Sequence, residues 1–353
     1  EDEEKEYIKE LEKFCKKVFV FKRSRNPWTL RNILLTGFSA YPFLVIRNLS
    51  QEEKRAIKLE LEGNNYNLIH AETFYVMPHI PETDIPILLV EQTIEYLVYR
   101  HFVQKQAPLI LRPLLWVDIA KLRFWETHFW KQANKVVAMS HADRKEMLKL
   151  APGLDVDIVP NGIDPDFFPI KQVKDDKVKR GLYIGNFKWL QNREAVYVLA
   201  KRIWPGIKKR IKTAELWICG MAVTDDIKAL KSKDINILEG VPDIREVYRK
   251  ADVLVAPIRG PGGTRLKILE AMASGTPVVT TKVGIMGLDV QDGVHALIAD
   301  SDQGLVRAAI NVLQNPTLGK NLSQKARQLV REKYSWDNSA NVLDSIYRKL
   351  DHE

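Results

Sequence analysis

Residues 257–279, PIRGPGGTRLKILEAMASGTPVV, carry a strand end, a loop, a helix and a new strand in one stretch. Pro257 and Ile258 follow the apolar run Val253–Ala256, and Pro277 opens a second apolar run to Thr280. Short, continuous apolar runs bounded by Gly and Pro read as strands buried on both faces, and such strands belong to parallel sheets joined by crossover helices. The crossover here is the helix pattern Thr264–Ala273, entered directly from a glycine-rich loop. Lacking side chains, Gly260, Gly262 and Gly263 let the backbone approach a ligand closely. The free N–H groups at the helix start, Gly263 and Thr264 included, favour an anion such as a diphosphate. Arg265 and Lys267 add positive charge at that place. Lys267 and Glu270 lie three apart and share a helix face, so Lys267 can meet phosphate while Glu270 accepts from ribose hydroxyls. A plain surface ion pair is the competing reading of that spacing. Against it stand Ala271, Ala273 and Gly275, whose small size lets the helix pack closely on a sheet. Its start then falls at the carboxyl ends of the strands, where open α/β sheets take ligands.

Working outward, the same alternation fills the second half of the chain. Strands are predicted at Gly181–Gly185, Leu216–Cys219, Ile235–Glu239, Val253–Ala256, Pro277–Thr280 and Ala296–Ile298. Helices fall between them, through Trp204, through Leu230 and over Ile244–Lys250, and the last helix runs from Trp336 to Leu350. Ile158–Asp166, IVPNGIDPD, puts an Asn-Gly turn and a Pro after a short strand, and that punctuation marks a domain boundary. Before it, strands are expected at Leu68–Ala71, Ile87–Val90 and Val136–Met139, with helices at Asn48–Leu61, Ile94–Phe102 and Trp116–Ala133. Ser50 is placed as the N-cap of the first of these helices, with Glu53 as its capping-box partner. The chain opens on a helix pattern, Tyr7–Cys15, followed by a strand-like run VFVF at Val18–Phe21. An upstream strand and loop are missing from the pattern, so the first domain is expected to be incomplete. The expected architecture is α/β with two Rossmann-like domains, over residues 1–158 and 159–335.

At 353 residues the chain suits two domains. Apolar residues make up 45% and charged residues 28%, which excludes the disordered and fibrous classes. No apolar run approaches the roughly 18–20 residues of a spanning helix, and EDEEKEYIKELEK is unlike a signal peptide. Cys15 and Cys219 have no C-x-x-C partner, so neither a disulfide framework nor a thiolate metal site is indicated. The expectation is a cytoplasmic protein. Up to Pro160 there are 23 Lys+Arg and 22 Asp+Glu, and beyond it 31 and 23, so the excess positive charge sits in the second domain. That suits a polyanionic small molecule, or simply a solvated basic surface. Zinc-finger spacing and a dense basic block are both lacking, which argues against nucleic acid. A dehydrogenase would need G-x-G-x-x-G after a strand, and that motif is lacking too.

KILEAMASGTPVV, together with VPNGID and YIGNFKWLQNREA, resembles glycosyltransferase family 4, the group 1 family with the GT-B fold of two facing Rossmann-like domains. The first half resembles it more loosely, through NLIHAE, LLVEQTIEYLVYRHF and VVAMSHADRKEML. The resemblance implies a retaining, hexosyltransferase-like enzyme that needs no metal. It would move a sugar from a UDP- or GDP-linked donor, its co-substrate rather than a cofactor, to an acceptor hydroxyl. The donor would sit in the second domain and a saccharide or lipid-linked acceptor in the first. The terminal helix, residues 336–350, would pack back on the first domain. Polysaccharide or glycoconjugate synthesis of the bacterial type is the implied setting.

Carried over by position, Glu270 would bind ribose, and Lys267 with Arg265 would hold the diphosphate beside Gly185 and Lys188. Four departures qualify the likeness. Gly262 stands where the family has the first glutamate of its pair. Asn186 and Gln191 stand near its Arg and Lys after the first donor-domain strand, leaving neutralisation to Arg265, Lys267 and Lys188. The Gly-rich loop after the first strand of the first domain is missing. Gln92, in EQTIE, replaces a histidine near the donor sugar; an amide can hydrogen-bond there but cannot shuttle a proton. These departures keep a second expectation alive, a catalytically impaired nucleotide- or sugar-binding protein on the same scaffold.

The remaining conspicuous residues favour structural explanations. Glu91 and Glu95, four apart, are expected to be solvated rather than catalytic. Trp116, Phe124, Trp125, Phe129 and Trp130 have roughly helical spacing and are expected in packing. His70, His79, His101, His128 and His141 lack metal-ligand spacing. Phe19–Ile46 mixes Lys22, Arg23, Arg25 and Arg31 with Trp28, Phe38, Tyr41 and Phe43. Peripheral contact with the inner face of a membrane and simple packing on the first domain are equal expectations for it.

Overall fold

The computed structural model describes residues 7–23, 26–170, 177–260 and 265–351. They form two compact units. One takes the chain to Val137, then Met147–Asp157 and the C-terminal residues from Leu350; the other takes Ala138–Glu146 and Ile158–Lys349. The first unit holds α1 (Ile8–Leu11), α2 (Leu30–Phe38), α3 (Phe43–Asn48), α4 (Gln51–Gly63), β1 (Ile69–Glu72), β2 (Ile87–Glu91), α5 (Glu95–Lys105), α6 (Arg112–Gln132), β3 (Lys135–Ala138), the second half of α7 (His141–Leu150) and β4 (Val156–Ile158). Its sheet has the order β1-β2-β3-β4, with β1 and β2 parallel. The Ser50 hydroxyl accepts from Glu53 N–H at 3.2 Å, as the capping pattern predicts. The other half of the cap comes from elsewhere: Ser50 N–H donates to His79 Nε2 at 2.9 Å, and His79 Nδ1 faces the Val76 carbonyl at 3.0 Å. Those partners put the imidazole proton on Nδ1.

Two expectations fail here. Val18–Phe21 is no strand; Phe19 and Phe21 instead line an apolar cavity with Ile57, Leu61 and Leu68. Four consecutive apolar residues have no period that separates a strand from an extended coil. The opening helix shrinks to α1, which has no buried residue. A helix without tertiary packing has little to sustain it at that length.

The second unit runs through β5 (Arg180–Asn186), α8 (Leu190–Val198), a π-helical turn (Leu199–Ile203), α9 (Trp204–Arg210), β6 (Glu215–Met221), α10 (Asp225–Lys228), β7 (Ile235–Glu239), α11 (Ile244–Lys250), β8 (Val253–Ala256), α12 (Leu266–Ala273), β9 (Val278–Thr280), β10 (Leu297–Ile298), α13 (Asp302–Gln314), α14 (Pro316–Lys333) and α15 (Trp336–Leu350). Its sheet, in the order β10-β9-β8-β5-β6-β7, is parallel throughout. Counted from β5, that is the Rossmann order 3-2-1-4-5-6 read backwards, with its switch point between β5 and β8. Every residue of β8 is buried, as are Ile268, Leu269, Ala271, Met272 and Ala273 of α12. The small residues of α12 thus lie against the sheet as expected.

Glu91 and Glu95 do not share a helix face. Glu91 ends β2 and α5 begins at Glu95, and the carboxylate paired with α5 is Glu126 of α6. Glu126 is fully buried and accepts from Glu95 N–H at 2.7 Å and Tyr96 N–H at 3.2 Å, so one helix caps the start of another. Glu91, also buried, accepts from Phe74 N–H at 2.9 Å and the Trp130 indole at 3.2 Å. Burial pushes the Glu126 carboxyl up to about 8, its two N–H donors pulling the other way; burial, then the charge of Glu126, pushes Glu91 well above the usual range. A carboxyl raised in the fold contributes stability that is complete below the unfolded value of 4.5 and lost as pH climbs through about 8. Thermal stability should therefore fall from about pH 5 to about pH 8, and Glu126→Gln, which keeps an acceptor without the charge, should flatten that fall. An unchanged slope in Glu126→Gln would contradict the assignment.

Candidate functional site

The switch point gathers the side chains that the sequence singles out in the second unit. Lys267 is the second residue of α12 and is half-buried. Its ammonium donates to Asn192 Oδ1 at 2.6 Å and to Tyr183 Oη at 3.1 Å, and lies 4.5 Å from the centre of the Tyr183 ring. The Tyr183 hydroxyl donates in turn to Asn192 Oδ1 at 3.0 Å. Asn192 is fixed from its other end, its Nδ2 donating to the Asn186 carbonyl at 2.8 Å. Gly185 makes room for this carboxamide, since a Cβ there would stand 2.8 Å from Asn192 Cγ. Both hydrogen-bond partners of Lys267 are neutral. Burial, then the neighbouring Arg265 charge, lowers its ammonium to about 7, with Glu270 opposing. An ammonium so poorly compensated is ready for an anion.

One turn on, Glu270 accepts from the buried Tyr248 hydroxyl at 2.7 Å. Burial raises its carboxyl, while Tyr248 and Lys267 lower it. Arg265, immediately before α12, is 6% exposed. Asp143 lies in the same unit and electrostatically favours the Arg265 charge that burial opposes. Asp143 is itself anchored by the Ser140 hydroxyl at 2.6 Å, and Ser140 caps the Asp143 N–H at 3.1 Å. At its far end α12 is tied by Arg327 of α14, whose guanidinium donates to the carbonyls of Ala273, Phe168 and Pro165.

The other predicted site residues fall as follows. Lys188 is exposed in the turn after β5, its N–H bonded to Asn186 Oδ1 at 3.0 Å. Gln92 belongs to the first unit, where its amide donates to Glu72 Oε2 at 3.1 Å and Glu72 Oε1 meets His70 Nε2 at 3.1 Å. Gly262, Gly263 and Thr264 lie outside the described residues. Sequence reasoning missed Tyr183, Asn192, Tyr248 and Asp143. The signal available was a tyrosine inside a buried strand, YIGN, whose hydroxyl must find a partner. Among the described residues no group of three His, Cys, Asp or Glu side chains could hold a metal ion.

Two family models match the chain. One, described as Glycosyltransferase Family 4, matches residues 7–167, and the other, Glycosyl transferases group 1, matches residues 178–315. An uncharacterized 44.6 kDa protein in the cps region of Klebsiella pneumoniae is 22% identical over 96% of this chain and 86% of its own length. A phosphatidyl-myo-inositol mannosyltransferase of Mycobacterium tuberculosis is 26% identical over 61% of this chain, and the match spans 59% of that protein. The structure of Anabaena HepE in complex with UDP and glucose superposes with a TM-score of 0.64 at 16% identity, covering 85% of this chain and 82% of that one. The fold is GT-B.

The environment of Lys267 has a direct readout. In a lysine side-chain NMR titration one lysine should titrate near 7, against about 10.4 for solvated lysines, and be missing from Lys267→Met. A protein whose lysines all titrate at the solvated value would refute this picture of the site.

Proposed function

Because the chain belongs to the family 4, group 1 glycosyltransferases, we propose that it transfers a hexose, with retention and without a metal, from a UDP- or GDP-linked donor. The observation that carries this reading is the half-buried Lys267 ammonium with only neutral hydrogen-bond partners, beside Arg265 and one helical turn from Glu270. Two diphosphate charges supply what that ammonium lacks, and Glu270, already an acceptor for Tyr248, offers its second oxygen to ribose hydroxyls. The anomeric carbon–phosphate bond breaks as the acceptor oxygen bonds to that carbon. The electron pair leaves with the diphosphate, stabilised by Arg265, Lys267 and the start of α12. A donor phosphate oxygen takes the acceptor proton, since Gln92 has no base to offer. The acceptor is a saccharide or a lipid-linked saccharide. Relatives named for a cps region and for a mannosyltransferase support a place in glycoconjugate synthesis, and a fold neighbour bound to UDP and glucose supports a nucleotide sugar.

A second reading, a scaffold that binds the nucleotide but no longer turns it over, is favoured by one observation: Gly262 occupies the place of a glutamate in the family pair. Calorimetry with UDP and GDP, followed by a sugar-nucleotide hydrolysis assay, separates the two. Transfer predicts turnover, with kcat/KM reduced by more than about ten-fold in both Lys267→Ala and Glu270→Ala. Binding without turnover would favour the second reading, and unchanged donor kinetics in both variants would remove the site.

A further inference from the structure

Just beyond β5, Trp189 is 61% exposed, and among the described residues its indole has no hydrogen-bond or ring partner. A single exposed apolar side chain is ordinary on a protein surface, so exposure alone assigns it nothing. Its placement does more. The turn that carries it is fixed at every residue: Lys188 N–H donates to Asn186 Oδ1 at 3.0 Å, Trp189 N–H to the Asn186 carbonyl at 3.2 Å, and Phe187 N–H to the Met221 carbonyl of β6 at 2.9 Å. Phe187 is fully buried and anchors the turn from below. The Trp189 carbonyl then accepts from Asn192 N–H at 3.1 Å, where α8 begins. Asn192 also joins this turn to the site already described. Its Nδ2 donates to the Asn186 carbonyl at 2.8 Å, while its Oδ1 accepts from the Lys267 ammonium at 2.6 Å. One carboxamide thus sets the place of the indole relative to the ammonium.

The contacts run in an order that identifies what the indole meets. Tyr248 of α11 is bonded to Glu270, Glu270 lies one helical turn from Lys267, Lys267 is bonded to Asn192, and Asn192 holds the turn of Trp189. A nucleoside diphosphate sugar has its diphosphate between ribose and hexose. With ribose at Glu270 and the diphosphate at Lys267, the hexose falls on the far side of the ammonium, toward Trp189. A pyranose ring offers a face of C–H groups, and the face of an indole carries the negative lobe of its quadrupole, so the two attract when stacked. Gly262 has no side chain with which to bind sugar hydroxyls. We propose that the Trp189 indole is the platform on which the hexose of the donor stacks, a specificity-determining residue of the second unit. The assignment rests on the donor reading of Lys267 and Glu270.

The test compares free nucleotides with their sugar-linked forms, using UDP beside UDP-glucose and GDP beside GDP-mannose in calorimetry. Trp189→Ala should weaken the sugar nucleotide by about ten-fold and leave the free nucleotide within about two-fold, and Trp189→Phe, which keeps an aromatic face, should restore most of the loss. Because the side chain is exposed, neither substitution empties the core. Tryptophan emission gives an independent readout: saturating sugar nucleotide should change it more than saturating free nucleotide does, and Trp189→Phe should abolish that difference. Equal losses for both ligand forms in Trp189→Ala, or no loss for either, would overturn the assignment while leaving the nucleotide site itself intact. A wild-type protein that binds no nucleotide would remove the donor reading, and this assignment with it.

Discussion

An ammonium group drawn out of water without a carboxylate bonded to it is costly, and the residues around Lys267 in the second unit are arranged to tolerate that cost. The tolerance comes from Tyr183, which offers both a hydroxyl and a ring face, and from Asn192, whose carboxamide is held by the backbone carbonyl of Asn186 at the end of β5. Neutral dipoles soften the desolvation of a cation without cancelling its charge. A carboxylate in the place of Asn192 would make a better-paired lysine and leave less positive charge uncompensated there. The strand order puts this arrangement at the switch point, where sheet and helices leave a crevice at the strand ends.

Much of this was legible in the sequence because it is local. The strand-loop-helix-strand pattern of residues 253–280 requires only apolar periodicity and glycine punctuation, and its bounds held within a residue or two where residues are described. Lys267 and Glu270 were legible because three residues of helix fix their relation. Asn192 was not, for it lies 75 positions from Lys267 and acts through one carboxamide oxygen; Gln191 drew attention merely by its place in a family pattern. Distance in sequence also hid Tyr248 from Glu270 and Glu126 from α5.

The first unit shows how pattern reading misjudges burial. A helix whose polar and apolar residues are spread around it, such as α6, has only a weak amphipathic signal to say which side is covered, so Phe124 and Trp130 look alike in sequence although Trp130 is fully buried and Phe124 is not. The carboxylates were misjudged in the opposite direction. Glu91 reads as a solvated charge and Glu126 draws no notice in the sequence because buried acids are rare, yet each satisfies donors that the backbone or an indole would otherwise leave unmet.

Arg327 joins the last carbonyl of α12 to those of Pro165 and Phe168, the stretch by which the chain enters the second unit. One planar, rigid fork with fixed donor directions cannot follow two moving anchors independently. Any displacement of α12 along its axis is passed to the entry segment as a strut passes load between two beams, so the helix that carries Lys267 and the turn over Pro165–Phe168 are mechanically one part.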